Sequence, residues 1–211
     1  MNRISIVACF VAVFFLAGSA FAAEGSKMYV GVGGTFAVEY FNADQFEAAA
    51  NRGLDPSYDN TWGLYGKFGY KINPIVSVEF DLRYLFGFNA SQTFQRTYSN
   101  INYDGDLDVL TAMAVAKIFP PLQGVVRPYF ATGLGVMHAK WDTTITGPLG
   151  YTRADESRSE TGGCGKLGLG VDFYITPTLS LNVEGAYTAG FGSEVDTIRY
   201  FGLSAGLGFH F

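Results

Sequence analysis

The chain has 211 residues, a formal net charge of −5 at pH 7, 27 glycines, 16% aromatic residues and 16% charged residues. The negative balance argues against a broad surface that follows nucleic-acid phosphates, and the hydrophobic fraction of 48% argues against a disordered chain. Because ordinary globular chains carry roughly 25% charged residues, the low charge with many glycines and aromatics favours a chain that faces lipid.

The first segment has the pattern of a secretory signal. Arg3 precedes the apolar run ISIVACFVAVFFLA, and an A-x-A cleavage pattern follows at Ala20 and Ala22. The run is shorter than the roughly 20 residues that a helix needs to cross a bilayer. We therefore predict a signal peptide over 1–22 and a mature domain over 23–211, with export into the periplasm.

Eight segments follow in which apolar residues alternate with small or polar ones. They are predicted as strands at 28–40, 62–72, 76–88, 106–119, 126–140, 167–175, 179–191 and 200–211. A period of two indicates strands with two different faces. Eight strands of about 10–14 residues suit a bilayer that is crossed at a tilt.

The connections between these strands fall into two classes. Three are short and contain proline, at 73–74, 120–125 and 176–178, and four are mostly longer and polar, at 41–60, 89–105, 142–162 and 192–198. Short and long connections alternate, so all long loops share one end of the sheet. This is the layout of an all-β, eight-stranded antiparallel up-and-down transmembrane β-barrel, with short periplasmic turns and longer outer loops.

Alternation alone leaves open which face points outward, because a soluble carrier barrel alternates with its apolar face inward. Small residues on the more polar face and two clusters of aromatics favour the membrane barrel, since aromatics border the apolar band of such barrels. The cluster predicted near the long loops contains Tyr40, Phe41, Trp62, Phe86, Phe88, Trp141 and Phe201. The cluster predicted near the short turns contains Tyr70, Phe119, Tyr129, Phe173 and Phe209.

The last strand carries a more specific pattern. Ser204, Gly206, Phe209 and Phe211 follow the spacing polar, any, Gly, two of any, apolar, any, apolar. With this pattern the chain resembles the small outer-membrane β-barrels, similar to the outer membrane protein A transmembrane domain and to opacity-type surface porins. The resemblance implies that these four residues form an assembly signal that the barrel-insertion machinery reads.

No motif predicts catalysis, a cofactor or a metal site. The glycine-rich stretches at 31–36 and 165–172 lie within strand patterns, whereas a phosphate loop needs a following helix. Asp104, Asp106 and Asp108 lack the later ligands of an EF-hand and are predicted as a hydrated rim. His138 is followed by Lys140 where the lipid A deacylase pattern has serine, so a Ser/His/acid arrangement is unsupported.

Charged residues occupy the face predicted to point into the lumen, and they form the candidate site. They are Lys67, Glu79, Asp81, Arg83, Lys166, Asp172 and Glu184. Eight strands leave an interior that side chains fill, and buried charges are normally paired. The turn at 73–74 is expected to bring Lys67 towards Glu79 and Asp81, and the turn at 176–178 to bring Lys166 towards Glu184. A paired polar plug is preferred over an ion pathway.

These features predict a non-enzymatic integral protein of the bacterial outer membrane that serves envelope integrity or surface interaction through its loops. Two alternatives stay open, a narrow channel for small or apolar solutes and a lipid A-modifying enzyme. The expected partners are outer-membrane lipid, lipopolysaccharide and, during assembly, the insertion machinery. We expect a monomer that binds no nucleic acid.

Overall fold

The computed structural model describes residues 27–39, 60–96, 99–122, 124–146 and 152–211 as a closed barrel. Its strands are β1 (Met28–Glu39), β2 (Thr61–Lys71), β3 (Val76–Arg96), β4 (Ser99–Ile118), β5 (Val126–Thr146), β6 (Thr152–Tyr174), β7 (Leu179–Phe191) and β8 (Arg199–His210). Each strand pairs antiparallel with the next, and β8 pairs with β1, which confirms the predicted fold. The predicted signal, with Ala20 and Ala22, and nearly all of the loop at 41–60 lie outside the described residues.

The barrel closes through a continuous register between its first and last strands. The pairs run from Tyr29 opposite His210 to Glu39 opposite Tyr200. Beyond the ladder, the Met28 amide donates to the Phe211 carbonyl at 3.3 Å and the Phe211 amide donates to the Met28 carbonyl at 3.0 Å. Closure leaves the barrel wall without an unpaired edge, as a sheet in hydrocarbon requires.

The two faces of the wall are inverted relative to a water-soluble barrel. Large apolar side chains point outward, and Leu134 and Leu169 are 67% and 68% exposed. Lys67 and Glu184, in contrast, are buried in the lumen. This distribution contradicts the alternative of a soluble carrier, because an exterior of this composition matches lipid. Among the described residues, no helix has the length and hydropathy needed to cross a membrane.

Four strands extend much further than the sequence predicted. Most of the predicted loops at 89–105 and 142–162 belong to β3–β4 and β5–β6, whose pairing reaches Arg96 opposite Ser99 and Thr146 opposite Thr152. β4 also pairs with β5 as far as Asn102 opposite Thr146. The backbone pairing continues into segments whose sequence is mostly polar, so the apolar alternation stops before the strands do. We call this extension of β3 to β6 the projecting sheet.

A bulge in β3 changes the direction of the strand at the base of the projecting sheet. The β3–β4 register shifts between Leu85 and Phe88, and Gly87 has a φ of 54°. The Gly87 amide donates to the Asp108 carboxylate at 2.9 Å. The extra residue turns Phe88 into the lumen, where it is fully buried, so its predicted place in the outer aromatic cluster is wrong.

Replacing Gly87 by alanine is expected to lower the free energy of unfolding by about 1–2 kcal/mol, because a left-handed backbone brings Cβ against the following carbonyl. Gly34→Ala is the matched control. Gly34 lies in β1 without a positive φ, and an added Cβ there meets its nearest atom at 3.8 Å. Urea unfolding in detergent measures the stability of both variants. Equal unfolding midpoints would show that a residue with a Cβ fits the backbone at position 87 without strain.

Several aromatics also differ from their predicted positions. Tyr129 and Phe119 are buried rather than outward-facing, and Trp141 packs against the buried core. Outward positions of β5 are even-numbered, so its odd-numbered aromatics turn inward. Those that do face outward are Trp62, Tyr70, Phe173, Phe201 and Phe209. Tyr40 and Phe41 lie outside the described residues.

Candidate functional site: the charged lumen

Glu184 lies at the centre of the lumen and contacts cations from three other strands. Its carboxylate lies 2.6 Å from Lys166, 3.3 Å from Lys67 and 3.6 Å from Arg83. Asp81 joins the same group, at 2.9 Å from Lys166 and 3.4 Å from Arg83. All five side chains are buried, so we call them the central ion cluster. The cluster stabilises the fold only when every charge has a partner, because moving each ion out of water costs several kcal/mol.

A second group of charges lies closer to the short turns. Lys117 Nζ lies 2.6 Å from Glu79 and 4.0 Å from Asp172, and it stands 4.2 Å from the centroid of the Tyr129 ring. The Tyr29 hydroxyl donates to Glu79 at 2.6 Å. We call Lys117, Glu79 and Asp172 the lower ion cluster.

Tyr129 and Asn182 join the two clusters. The Tyr129 hydroxyl donates to Glu184 at 3.0 Å, and the Asn182 amide donates to Tyr129 at 2.7 Å and to Asp172 at 2.6 Å. Among the described residues, four buried cations and four buried carboxylates share the lumen. Their charges balance, and the connected hydrogen bonds hold each side chain against the others.

The long-loop half of the lumen is mostly apolar. A 3-10 helix, Ser193–Thr197, follows β7 in place of part of the predicted loop at 192–198. Val195 and Ile198, at this turn, are buried against the barrel interior. The other large side chains of this apolar layer include Leu85, Phe88, Leu107, Met113, Met137 and Tyr200. Packed apolar side chains therefore fill the lumen on the side that lies beneath the projecting sheet.

A small cavity of about 20 Å³ lies beside the lower ion cluster. Its lining includes the buried polar groups of Tyr65, Glu79, Asn182 and His210, each of which has a side-chain atom without a partner in the described part of the chain. A cavity needs about 10–15 Å³ to hold a water molecule. This one has room for about one water and is far too small to serve as a pore.

The structure brings all seven predicted lumen charges into the interior, but it pairs Lys67 differently. Asp81 is the backbone partner of Lys67 across β2 and β3, yet the Lys67 ammonium contacts Glu184 on β7. Side chains in a narrow barrel reach across the lumen, so strand neighbours do not fix ion pairs. Lys117 was not among the predicted lumen charges, although it has the same parity as the buried Met113 and Val115.

Polar groups at the outer rim form local pairs. His138 Nδ1 lies 2.8 Å from the Thr161 hydroxyl, and Lys140 Nζ lies 2.6 Å from Asp142. Asp108, predicted as part of a hydrated rim, accepts the Gly87 amide at the bulge. In the described part of the chain these contacts bring no serine and carboxylate onto His138, so they form no hydrolytic triad.

The residues of the predicted assembly signal lie along β8 and just beyond its end. Ser204 is buried and donates to the Thr35 hydroxyl at 2.9 Å. Gly206 leaves the space that the Tyr65 hydroxyl occupies, since an added Cβ would collide with it. Phe209 points outward with 38% exposure, and Phe211 hydrogen-bonds to β1 through its backbone.

Comparisons with known proteins agree with this architecture. The sequence matches the family profile described as "Outer membrane protein beta-barrel domain" over residues 8–211. The structure is similar to Neisserial surface protein A, NspA, at 19% identity, 89% coverage of this chain and 100% of that chain, with a TM-score of 0.59. It is also similar to Ail of Yersinia pestis, at 16% identity, coverages of 89% and 100%, and a TM-score of 0.54.

A third similar structure is OprG from Pseudomonas aeruginosa, at 17% identity, coverages of 88% and 96%, and a TM-score of 0.50. No curated protein matches the chain in a sequence search. At these identities the structural similarity concerns the fold, and the site must be interpreted from its own residues.

Proposed function

Because this chain belongs to the family of outer membrane β-barrel domains, we propose that it is a non-enzymatic surface-interaction protein of the bacterial outer membrane. In this proposal the lumen is a structural plug, and the projecting sheet contacts molecules outside the cell. The short turns face the periplasm, which the chain reaches by export. The protein is a monomer whose apolar exterior contacts outer-membrane lipid and lipopolysaccharide, after the insertion machinery has read β8.

The projecting sheet is the observation that carries this proposal. β2 pairs with β3 only as far as Leu85, and β7 pairs with β6 only as far as Gly163. Among the described residues, no strand therefore pairs with the outer edges of β3 and β6 beyond these positions. Open strand edges offer backbone donors and acceptors to a further strand, which is how β-augmentation binds extended peptides.

The names of similar proteins are in keeping with this role. Ail is described as an attachment invasion locus protein, and one of its structures holds the heparin analogue sucrose octasulfate. NspA is described as a surface protein. These descriptions support contact with surface or host molecules as a class of function for this chain, without identifying a ligand.

The proposed orientation predicts which end of the barrel reacts with a reagent that cannot cross the membrane. In Ser159→Cys the new thiol lies on the projecting sheet, and in Thr176→Cys it lies in a short turn; both native positions are exposed. A membrane-impermeant maleimide added to intact cells is expected to label the first variant alone. The native Cys164 is buried, so it adds little background. Labelling of Thr176→Cys on intact cells, with Ser159→Cys unreactive, would reverse the orientation.

The plugged lumen predicts that the protein does not conduct. The ion clusters and the apolar layer above them fill the barrel interior. Purified protein in a planar bilayer is therefore expected to show no steady open-channel current. A large, stable conductance from wild-type protein would contradict the plugged lumen and would favour the channel alternative.

A further inference from the structure

Two cations converge on one aromatic ring at the short-turn end of the lumen. Lys71 is the last residue of β2, and Arg127 lies at the start of β5. The Lys71 Nζ lies 5.2 Å from the centroid of the Tyr174 ring, and the Arg127 guanidinium carbon lies 5.1 Å from the same centroid. Their backbone partners, Ser77 and Asp172, are both buried on the lumen side, so both cations line the mouth of the barrel.

Neither cation forms a direct ion pair within the described ranges. The ion pairs there include neither Lys71 nor Arg127, and Arg127 Nε is buried without a hydrogen-bond partner. Asp172 is the backbone neighbour of Arg127, but its carboxylate accepts from Asn182 at 2.6 Å and lies 4.0 Å from Lys117. The ring face attracts both cations, yet it cannot neutralise them.

His210 adds a buried nitrogen to the same group. Its ring lies 5.1 Å from the Tyr174 ring and 5.2 Å from the Tyr29 ring, and the residue is 6% exposed. The ring Nε2 lies 2.9 Å from the Ser180 hydroxyl, and Nδ1 is buried without a partner among the described residues. When Ser180 donates to Nε2, the neutral ring carries its proton on Nδ1 and has a donor to offer.

We propose that Lys71, Arg127 and His210, the mouth cluster, bind an oxyanion of the phosphate class. The planar guanidinium fork matches two oxygens of such a group, and the ammonium adds a point charge. A phosphate group carries more than one negative charge at neutral pH, about −1.5 to −2 in a phosphomonoester, and so compensates the two cations more fully than a single carboxylate would. The phosphate comes either from free phosphate on the periplasmic side, in the orientation proposed above, or from a phosphomonoester lipid headgroup at the inner boundary.

Titration of folded protein with inorganic phosphate tests the site. In zwitterionic detergent, the urea midpoint of wild-type protein is expected to rise with phosphate concentration, because a ligand that binds only the folded state stabilises it by mass action. Sodium chloride at matched ionic strength is expected to leave the midpoint nearly unchanged. Arg127→Lys retains the charge and the fold but removes the fork, and should weaken the apparent affinity by about tenfold or more.

Lys71→Gln should weaken binding likewise, and Lys140→Gln is the matched control. Lys140 is a cation at the opposite end of the barrel that already pairs with Asp142. A second arm reconstitutes the protein in phosphatidylcholine vesicles with or without phosphatidic acid. A response to free phosphate that Arg127→Lys reduces supports a soluble ligand, and a response to phosphatidic acid alone supports a headgroup. Equal responses of all variants, or equal effects of chloride and phosphate, would overturn the proposal.

Discussion

Glu184→Gln is expected to lower the free energy of unfolding by about 3–5 kcal/mol, the usual cost of removing one partner from a buried ion pair. The carboxylate is fully buried and faces Lys166, Lys67 and Arg83 within 3.6 Å. Glutamine keeps nearly the same volume and can still accept from Tyr129, so the loss is almost entirely electrostatic. Urea unfolding of refolded protein in detergent, followed by tryptophan fluorescence, measures it.

An exposed ion pair of the same length provides the control. Lys140 and Asp142 lie 2.6 Å apart, as do Lys166 and Glu184, but their side chains are 48% and 42% exposed. Asp142→Asn is therefore expected to cost at most about 1 kcal/mol, because water screens the exposed pair. Equal losses for Asp142→Asn and Glu184→Gln would show that burial of the central ion cluster has no energetic consequence.

A double variant tests whether the clusters are balanced by charge. Lys67→Met removes one of the cations that Glu184 contacts. Each single change leaves the other partner of this pair without its opposite charge, whereas the double variant Lys67→Met/Glu184→Gln removes both charges together. The two losses are expected to be non-additive by about 0.5–3 kcal/mol, as for other residues in one network. Strict additivity would mean that Lys67 and Glu184 do not interact in the folded barrel.

The sequence predicted the number of strands, their order and the inward charges, because period-two alternation is strong where one face meets lipid and the other meets a packed lumen. It failed where that contrast disappears. The segments that form the projecting sheet are mostly polar in sequence, so the pairing of β3 with β4 up to Arg96 left no apolar signature. At Gly87 the bulge reverses the parity, and nothing in the alternation signals where an extra residue enters.

Within the candidate site, the identities of the charged residues followed from parity, and the expected approach of Lys166 to Glu184 is present at 2.6 Å, but the partner of Lys67 did not follow. Asp81 is the strand neighbour of Lys67, yet Lys67 contacts Glu184 across the lumen. Lys117 was overlooked because β4 is rich in alanine and its inward face is mostly apolar. The net charge of the predicted set indicates that one cation was missing from it. The seven predicted residues include three cations and four carboxylates, and Lys117 supplies the fourth positive charge.

Phe209→Ala is expected to reduce accumulation in the outer membrane far more than it reduces the stability of the folded barrel. Phe209 is 38% exposed on the lipid face, so truncation removes less than the roughly 1.5–3 kcal/mol of a fully buried side chain of this kind. If β8 carries the assembly signal, the loss of its aromatic position also removes a contact that the insertion machinery needs. The two effects separate when refolding in detergent is compared with the amount of folded protein in isolated outer membranes.

Phe173→Ala is a closely matched control for this experiment. Phe173 is 39% exposed and is the last but one residue of β6, as Phe209 is of β8, and both strands end on the side of the barrel where the short turns lie. The two variants should therefore lose similar amounts of unfolding free energy, because they remove the same ring from equivalent lipid-facing positions. Only Phe209 belongs to the pattern formed with Ser204, Gly206 and Phe211. Accumulation should fall strongly for Phe209→Ala and stay near wild type for Phe173→Ala, whereas equal accumulation of both would reduce Phe209 to an ordinary aromatic of the membrane boundary.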